Sequence, residues 1–135
     1  DYGRSRGLGD VYKRQHVPTF LMPAAAKALS LKEEVQEMKD AFAERRVLMH
    51  QGLSSLPGFV VPEPEGAFYI LCDITGTGLT DIEFAHQALE HAQVQVIPGS
   101  LMKGGDGLIR ISYATSIANI HEGVRRLREW LESRN

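Results

Sequence analysis

The chain has 135 residues, 43% of them hydrophobic and 24% charged, with a formal net charge of -2. That size fits one domain with a modest core, or a piece of a longer protein. The near-neutral balance gives no electrostatic footprint for nucleic acid, the single cysteine excludes an internal disulfide, and no apolar run approaches the roughly 18 residues of a membrane span.

Residues 1–15, DYGRSRGLGDVYKRQ, show no hydrophobic periodicity. Residues 5–15 resemble the translation of a transposon-type sequencing adapter, so the stretch 1–15 is expected to be a non-native leader. The gene is then expected to be cut just upstream of His16, with residues 16–135 belonging to something longer.

Beyond His16, helical and strand patterns alternate. Alanine-rich residues 23–29, PAAAKAL, predict a helix, with Pro23 tolerated in its first turn. Ser30 stands three residues before Glu33, a capping-box spacing that opens a long helix ending near Gly52. Its apolar stripe is Leu31, Val35, Met38, Phe42, Met49 and Leu53. The stretch GFVVPEPEGAFYILCD, residues 58–73, predicts a short strand, a proline-rich turn and a second strand. Pro62 and Pro64 cannot donate to a ladder, which confines the link to an edge or a loop. The continuous apolar run over 67–72 is the pattern of a strand buried on both faces.

Thr80 with Glu83 gives a second capping box for a helix over 81–92, with Ile82, Ala85 and Leu89 on one side and Phe84 and Ala88 alongside. Residues 94–97 predict a short strand stopped by Pro98-Gly99. The glycine-rich connection GSLMKGGDG, residues 99–107, leads to a strand over 108–112. Ser116 then caps a last helix carrying Ile117, Ile120, Val124, Leu127 and Leu131 on one stripe, with Trp130. The order predicts an α+β fold in which helices cover a small antiparallel or mixed sheet.

The strand over 108–112 carries the residue of most chemical interest. Strand alternation sends Ile109 and Ile111 to one face and Leu108, Arg110 and Ser112 to the other. A guanidinium is always charged and offers a rigid fork that matches a carboxylate. On pattern alone, Arg110 is expected on a solvated sheet face or paired with a protein carboxylate, because an unpaired buried charge is costly. The remaining candidates are blander. His16, His50, His86, His91 and His121 have no ligand spacing, so no metal site is expected. Cys72 ends a buried strand and is expected to pack. The GTG of 76–78 and GGDG of 104–107 read as turns. Arg125, Arg126 and Arg128 read as the solvated face of the last helix.

The segments PEGAFYIL (64–71), VQVIPGS (94–100), GDGLIRISYATS (105–116) and IHEGVRRLREWL (120–131) together resemble the C-terminal segment of class I/II aminotransferases. TFLMPAAAKAL (19–29) is similar to the same family's helix-entry segment. The resemblance runs from about His16 to the end, in family order, and IRISYATS is most similar to the prokaryotic aspartate-aminotransferase-like branch. It implies the small, C-terminal domain of a fold-type-I enzyme that uses pyridoxal 5'-phosphate to move an amino group between an amino acid and a 2-oxo acid. It implies that Arg110 binds the substrate α-carboxylate, and it implies a cytoplasmic homodimer in amino-acid metabolism and biosynthesis. Gly66, Ala67, Phe68 and Tyr69 match the family's strand near the active-site entrance, where packing is the expected role.

The chain departs from the family at Met22, where a glutamine is usual, and at Met102-Lys103, where Phe-Gly is frequent. No lysine matches the cofactor lysine. Lys103 lies in a loop, Lys27, Lys32 and Lys39 lie on predicted helices, and Lys13 lies in the leader. No catalytic or cofactor-binding residue is therefore expected in this chain, which alone should not transaminate. The alternatives are a fold-type-I C–S lyase, a stand-alone α+β module that binds amino acids without chemistry, and a structural cap in which Arg110 pairs with a protein acid.

Overall fold

The structure, a computed structural model, describes residues 18–134. The leader expected over 1–15, and His16, lie outside the described residues. The described residues divide into two compact units, the first ending at Met38 and the second beginning at Lys39.

In the first unit a 3-10 turn, Thr19–Leu21, leads into helix α1, Met22–Ala28, which has Pro23 in its first turn. Helix α2, Lys32–Ser54, begins in this unit. Ser30 does not cap α2. Its hydroxyl donates to the Lys27 carbonyl at 2.7 Å, one of the local backbone bonds that a short polar side chain can choose between. The apolar stripe of α2 is split. Val35 and Met38 are exposed, whereas Met49 and Leu53 are buried and Phe42 packs at the margin of the core.

The second unit is a three-stranded sheet with helices against one face. Strands β1, Tyr69–Asp73, β2, Ile97–Pro98, and β3, Leu108–Ser112, lie in the order β1-β3-β2, and both pairings are antiparallel. Helices α3, Asp81–His91, and α4, Ile117–Ser133, complete the unit. The α+β layer expected from the element order is what forms. Helix α3 starts in a full capping box: the Glu83 amide donates to Thr80 Oγ1 at 3.3 Å and the Thr80 amide donates to Glu83 Oε2 at 3.0 Å. Helix α4 starts with the Asn119 amide donating to Ser116 Oγ at 3.2 Å. Such caps satisfy amides that the first helical turn leaves without partners.

Ile70 and Cys72 of β1 and Ile109 and Ile111 of β3 turn into a core that includes Leu53, Phe84, Ile120, Leu127 and Trp130. Phe84 is its hub, with ring centroids of Trp130 and Phe59 at 5.0 and 5.6 Å, both edge-on, an arrangement that suits the ring quadrupoles.

Four expectations are corrected. The run 67–72 is not buried on both faces: Ile70 and Cys72 are buried while Tyr69 and Leu71 are half-exposed, because the core lies on one side of the sheet. Residues 58–61 form only an isolated bridge, Val60 with Asp73. Of the strand expected over 94–97, only Ile97 pairs. The Val94 amide instead donates to the Ala88 carbonyl at 3.1 Å, closing the end of α3 after Gln93 turns at φ 55°. On α3 the core face is Asp81, Phe84 and Ala88, and Ile82 and Leu89 are exposed.

Candidate functional site

Arg110 sits at the middle of the middle strand, opposite Leu71 of β1 and Ile97 of β2. The two isoleucines beside it in sequence are buried, which commits Arg110 to the face away from the core. Its guanidinium carbon lies 5.2 Å from the centroid of the Tyr69 ring, within cation–π range. Among the described residues it has no ion-pair partner and no hydrogen-bond acceptor. Phe68, Tyr69, Gln95, Ile97 and Ser112 surround it in a concavity of about 260 Å³. A fixed positive fork on an aromatic face, with one amide and one hydroxyl nearby and apolar walls otherwise, suits a small ligand that carries a carboxylate.

One segment, residues 60–68, brings Phe68 to the rim and is fastened to α2 and to the end of β3. Arg46 Nη1 donates to the Pro64 carbonyl at 2.8 Å, and His50 Nε2 lies 3.2 Å from the Val61 carbonyl. The Tyr113 amide donates to the Phe68 carbonyl at 2.9 Å, and Ser112 Oγ donates to the same oxygen at 3.3 Å. The Tyr113 hydroxyl donates to the Ala67 carbonyl at 2.8 Å. Ala67 is in the left-handed region, with φ 65°. Of Gly66, Ala67, Phe68 and Tyr69, which lead into β1, Phe68 and Tyr69 line the concavity with Arg110; Phe68 is exposed rather than packed away.

The loop of residues 99–107, between β2 and β3, is held by Asp81. This carboxylate, on a residue only 5% exposed, accepts the Ser100 amide at 2.7 Å. The bonds from Ser100 hold its pKa below the usual carboxylate range. The loop closes on itself where Gly99 meets Gly105. A Cβ placed at Gly99 would stand 2.1 Å from the Gly105 carbonyl oxygen and 2.6 Å from that of Leu108, so no side chain fits there. Met102 and Lys103 lie in this loop, with Lys103 exposed.

The other sequence candidates are elsewhere. Cys72 is fully buried, and burial pushes its thiol up to about 12. His86, His91 and His121 are exposed, and among the described residues no group of His, Cys, Asp and Glu could hold a metal. Arg125 and Arg126 pair with Glu122 on α4, and Arg128 donates to Ser55. Met22 is exposed at the start of α1. Sequence reasoning missed Gln95, Ile97, Asp81 and Tyr113. The first two stand two apart in the run expected as a strand, where alternation would give them one face, and Asp81 follows a helix cap directly. The bonds of Tyr113 span 46 residues and have no local signal.

The model of the family described as aminotransferase class I and II matches residues 6–127. An aspartate aminotransferase of Pyrococcus horikoshii is 40% identical over 87% of this chain and 31% of its own length. A probable aspartate/prephenate aminotransferase of Aquifex aeolicus is also 40% identical, with the same coverage. The crystal structure of an aromatic aminotransferase from Pyrococcus horikoshii superposes with a TM-score of 0.81 over 86% of this chain and 32% of that one. The chain therefore spans about a third of the length of these relatives, and it belongs to the class I and II aminotransferases, of fold type I.

Proposed function

We propose that this chain is the C-terminal, small-domain part of a pyridoxal-phosphate-dependent aminotransferase, and that Arg110 binds the α-carboxylate of its substrates. The observation that carries the reading is a guanidinium with no acid beside it among the described residues, facing a concavity of about 260 Å³. The structural-cap alternative needs Arg110 paired with an Asp or Glu, and none of the described acids is in reach. Every amino acid and 2-oxo acid presents a carboxylate next to the reacting carbon. Two parallel N–H···O bonds from one fork fix both its position and its plane, which sets the Cα–H for proton transfer.

The residues present do not fit the cofactor itself. Among the described residues the concavity has no amine, and Arg110 is its one cation. Lys27, Lys32 and Lys39 are exposed on helices, and Lys103 is exposed in a loop. The cofactor lysine and phosphate contacts are accordingly assigned to protein outside this chain. The relatives named for aspartate and for aromatic amino acids make these the first substrates to try. The assignment extends to a cytoplasmic homodimer, as the family implies; no described helix is long and apolar enough to cross a membrane.

The test is steady-state kinetics of the full-length protein with Arg110→Ala and Arg110→Lys. Loss of charge-assisted bonds worth about 1.5–3 kcal/mol should raise KM for both substrates roughly 10- to 150-fold in Arg110→Ala. Arg110→Lys keeps the charge without the fork and should fall between. A wild-type KM in Arg110→Ala would remove the assignment. Turnover that needs no 2-oxo acid would point to a lyase.

A further inference from the structure

Tyr113 lies one residue beyond β3 and is 1% exposed. Its hydroxyl donates to the Ala67 carbonyl at 2.8 Å and lies 3.4 Å from that of Gly66. Its amide donates to the Phe68 carbonyl at 2.9 Å. Its ring stands edge-on to Phe42, with centroids 6.2 Å apart. The phenol is thus fixed by packing, and its hydroxyl is aimed at one turn. That turn is in an unfavourable conformation. Ala67 has φ 65°, where the Cβ crowds the following carbonyl. Next in sequence come Phe68 and Tyr69. Their rings meet edge-on at 5.4 Å, and the Tyr69 ring lies under the Arg110 guanidinium.

We propose that Tyr113 is a positioning residue for the Arg110 concavity: its hydroxyl holds Ala67 in the left-handed conformation that sets Phe68 and Tyr69 against the guanidinium. The proposal rests on the reading of Arg110 as the carboxylate ligand. It adds a buried group that touches no substrate and acts through the rim. Burial raises the pKa of this phenol above its ordinary value, so the donating O–H is retained through neutral pH. Ala67 itself is exposed. When the hydroxyl is removed, water can solvate the carbonyl, and the fold survives while the preference for the left-handed turn is lost.

The experiment is kinetics of the full-length holoenzyme with Tyr113→Phe, Ala67→Gly, the double variant and Ala67→Val, beside Arg110→Ala. Tyr113→Phe should raise KM for both substrates about fivefold, the equivalent of one net hydrogen bond, with kcat within about twofold of wild type. Glycine takes a positive φ without penalty, so Ala67→Gly in the Tyr113→Phe background should return KM to within about twofold of wild type. Ala67→Val keeps the hydroxyl but opposes the turn, and should reproduce the Tyr113→Phe effect at an exposed site where folding is not at risk. A wild-type KM in Tyr113→Phe or Ala67→Val, or a double variant without recovery, overturns the proposal. If those variants are wild-type-like while Arg110→Ala is impaired, only the positioning role is lost. If they are impaired and rescued while Arg110→Ala is wild-type-like, the carboxylate assignment falls and Tyr113 still shapes the concavity.

Discussion

Replacing Asp81 by Asn separates charge from shape at the point where α3 grips the loop before β3. The native carboxylate accepts the Ser100 amide at 2.7 Å on a buried residue. A hydrogen bond to a charged group contributes about 1.5–3 kcal/mol, and an amide oxygen retains roughly half of that. An acid in the first turn of a helix adds roughly 0.3–1 kcal/mol through the helix dipole. The expected loss in Asp81→Asn is thus about 2 kcal/mol of local stability. In the full-length protein this appears as exchange of the Ser100 amide about 30-fold faster than in wild type, read by hydrogen–deuterium exchange on a peptide covering residues 99–107. The pH dependence has a definite sign. The folded pKa of Asp81 is depressed by its bonds from Ser100. Its stabilisation is complete above the unfolded value, near pH 4, and is lost as pH falls through the folded value. Asparagine does not titrate, so the two proteins should converge in acid. An exchange ratio below about threefold at neutral pH, or one that stays constant into acid, would refute the reasoning.

Two further outcomes follow from packing. Gly99→Ala forces a methyl to within 2.1 Å of the Gly105 carbonyl oxygen; because backbone cannot yield as a side chain can, about 3 kcal/mol of destabilisation is expected in a thermal or denaturant titration, and a wild-type midpoint would show that the loop has room. Cys72, fully buried with its thiol pushed up to about 12, should resist alkylation at neutral pH in the native protein and react fully in denaturant, as counted by mass spectrometry.

The parts of this fold that were legible in the sequence are those fixed by nearby residues. The Thr80–Glu83 box and the Ser116 cap place the starts of α3 and α4, and the Ile109-Arg110-Ile111 alternation assigns Arg110 to the face away from the core. The misreadings arise where a distant partner decides. The run over 67–72 is apolar throughout, yet only Ile70 and Cys72 meet the core; Phe68 and Tyr69 instead line the concavity with Arg110. Ser30 has two helices within reach and bonds the earlier one. Val35 and Met38 match the periodicity of Met49 and Leu53 but remain exposed, since periodicity identifies a face without naming what covers it. That Arg110 has no ion pair among the described residues is likewise a three-dimensional fact, and so are the distances that join Tyr113 to Ala67.

The placement of Arg110 on β3 has a consequence for how such a pocket can change. β3 is hydrogen-bonded on both sides, to β1 and to β2, so the guanidinium is a fixed reference point. The segment that brings Phe68 to the rim is tied down separately, by Arg46 and Tyr113. Insertions or exchanges in that segment can reshape a single wall and leave the reference point in place. The arrangement is modular: one fixed charge, and a wall that can be tuned on its own.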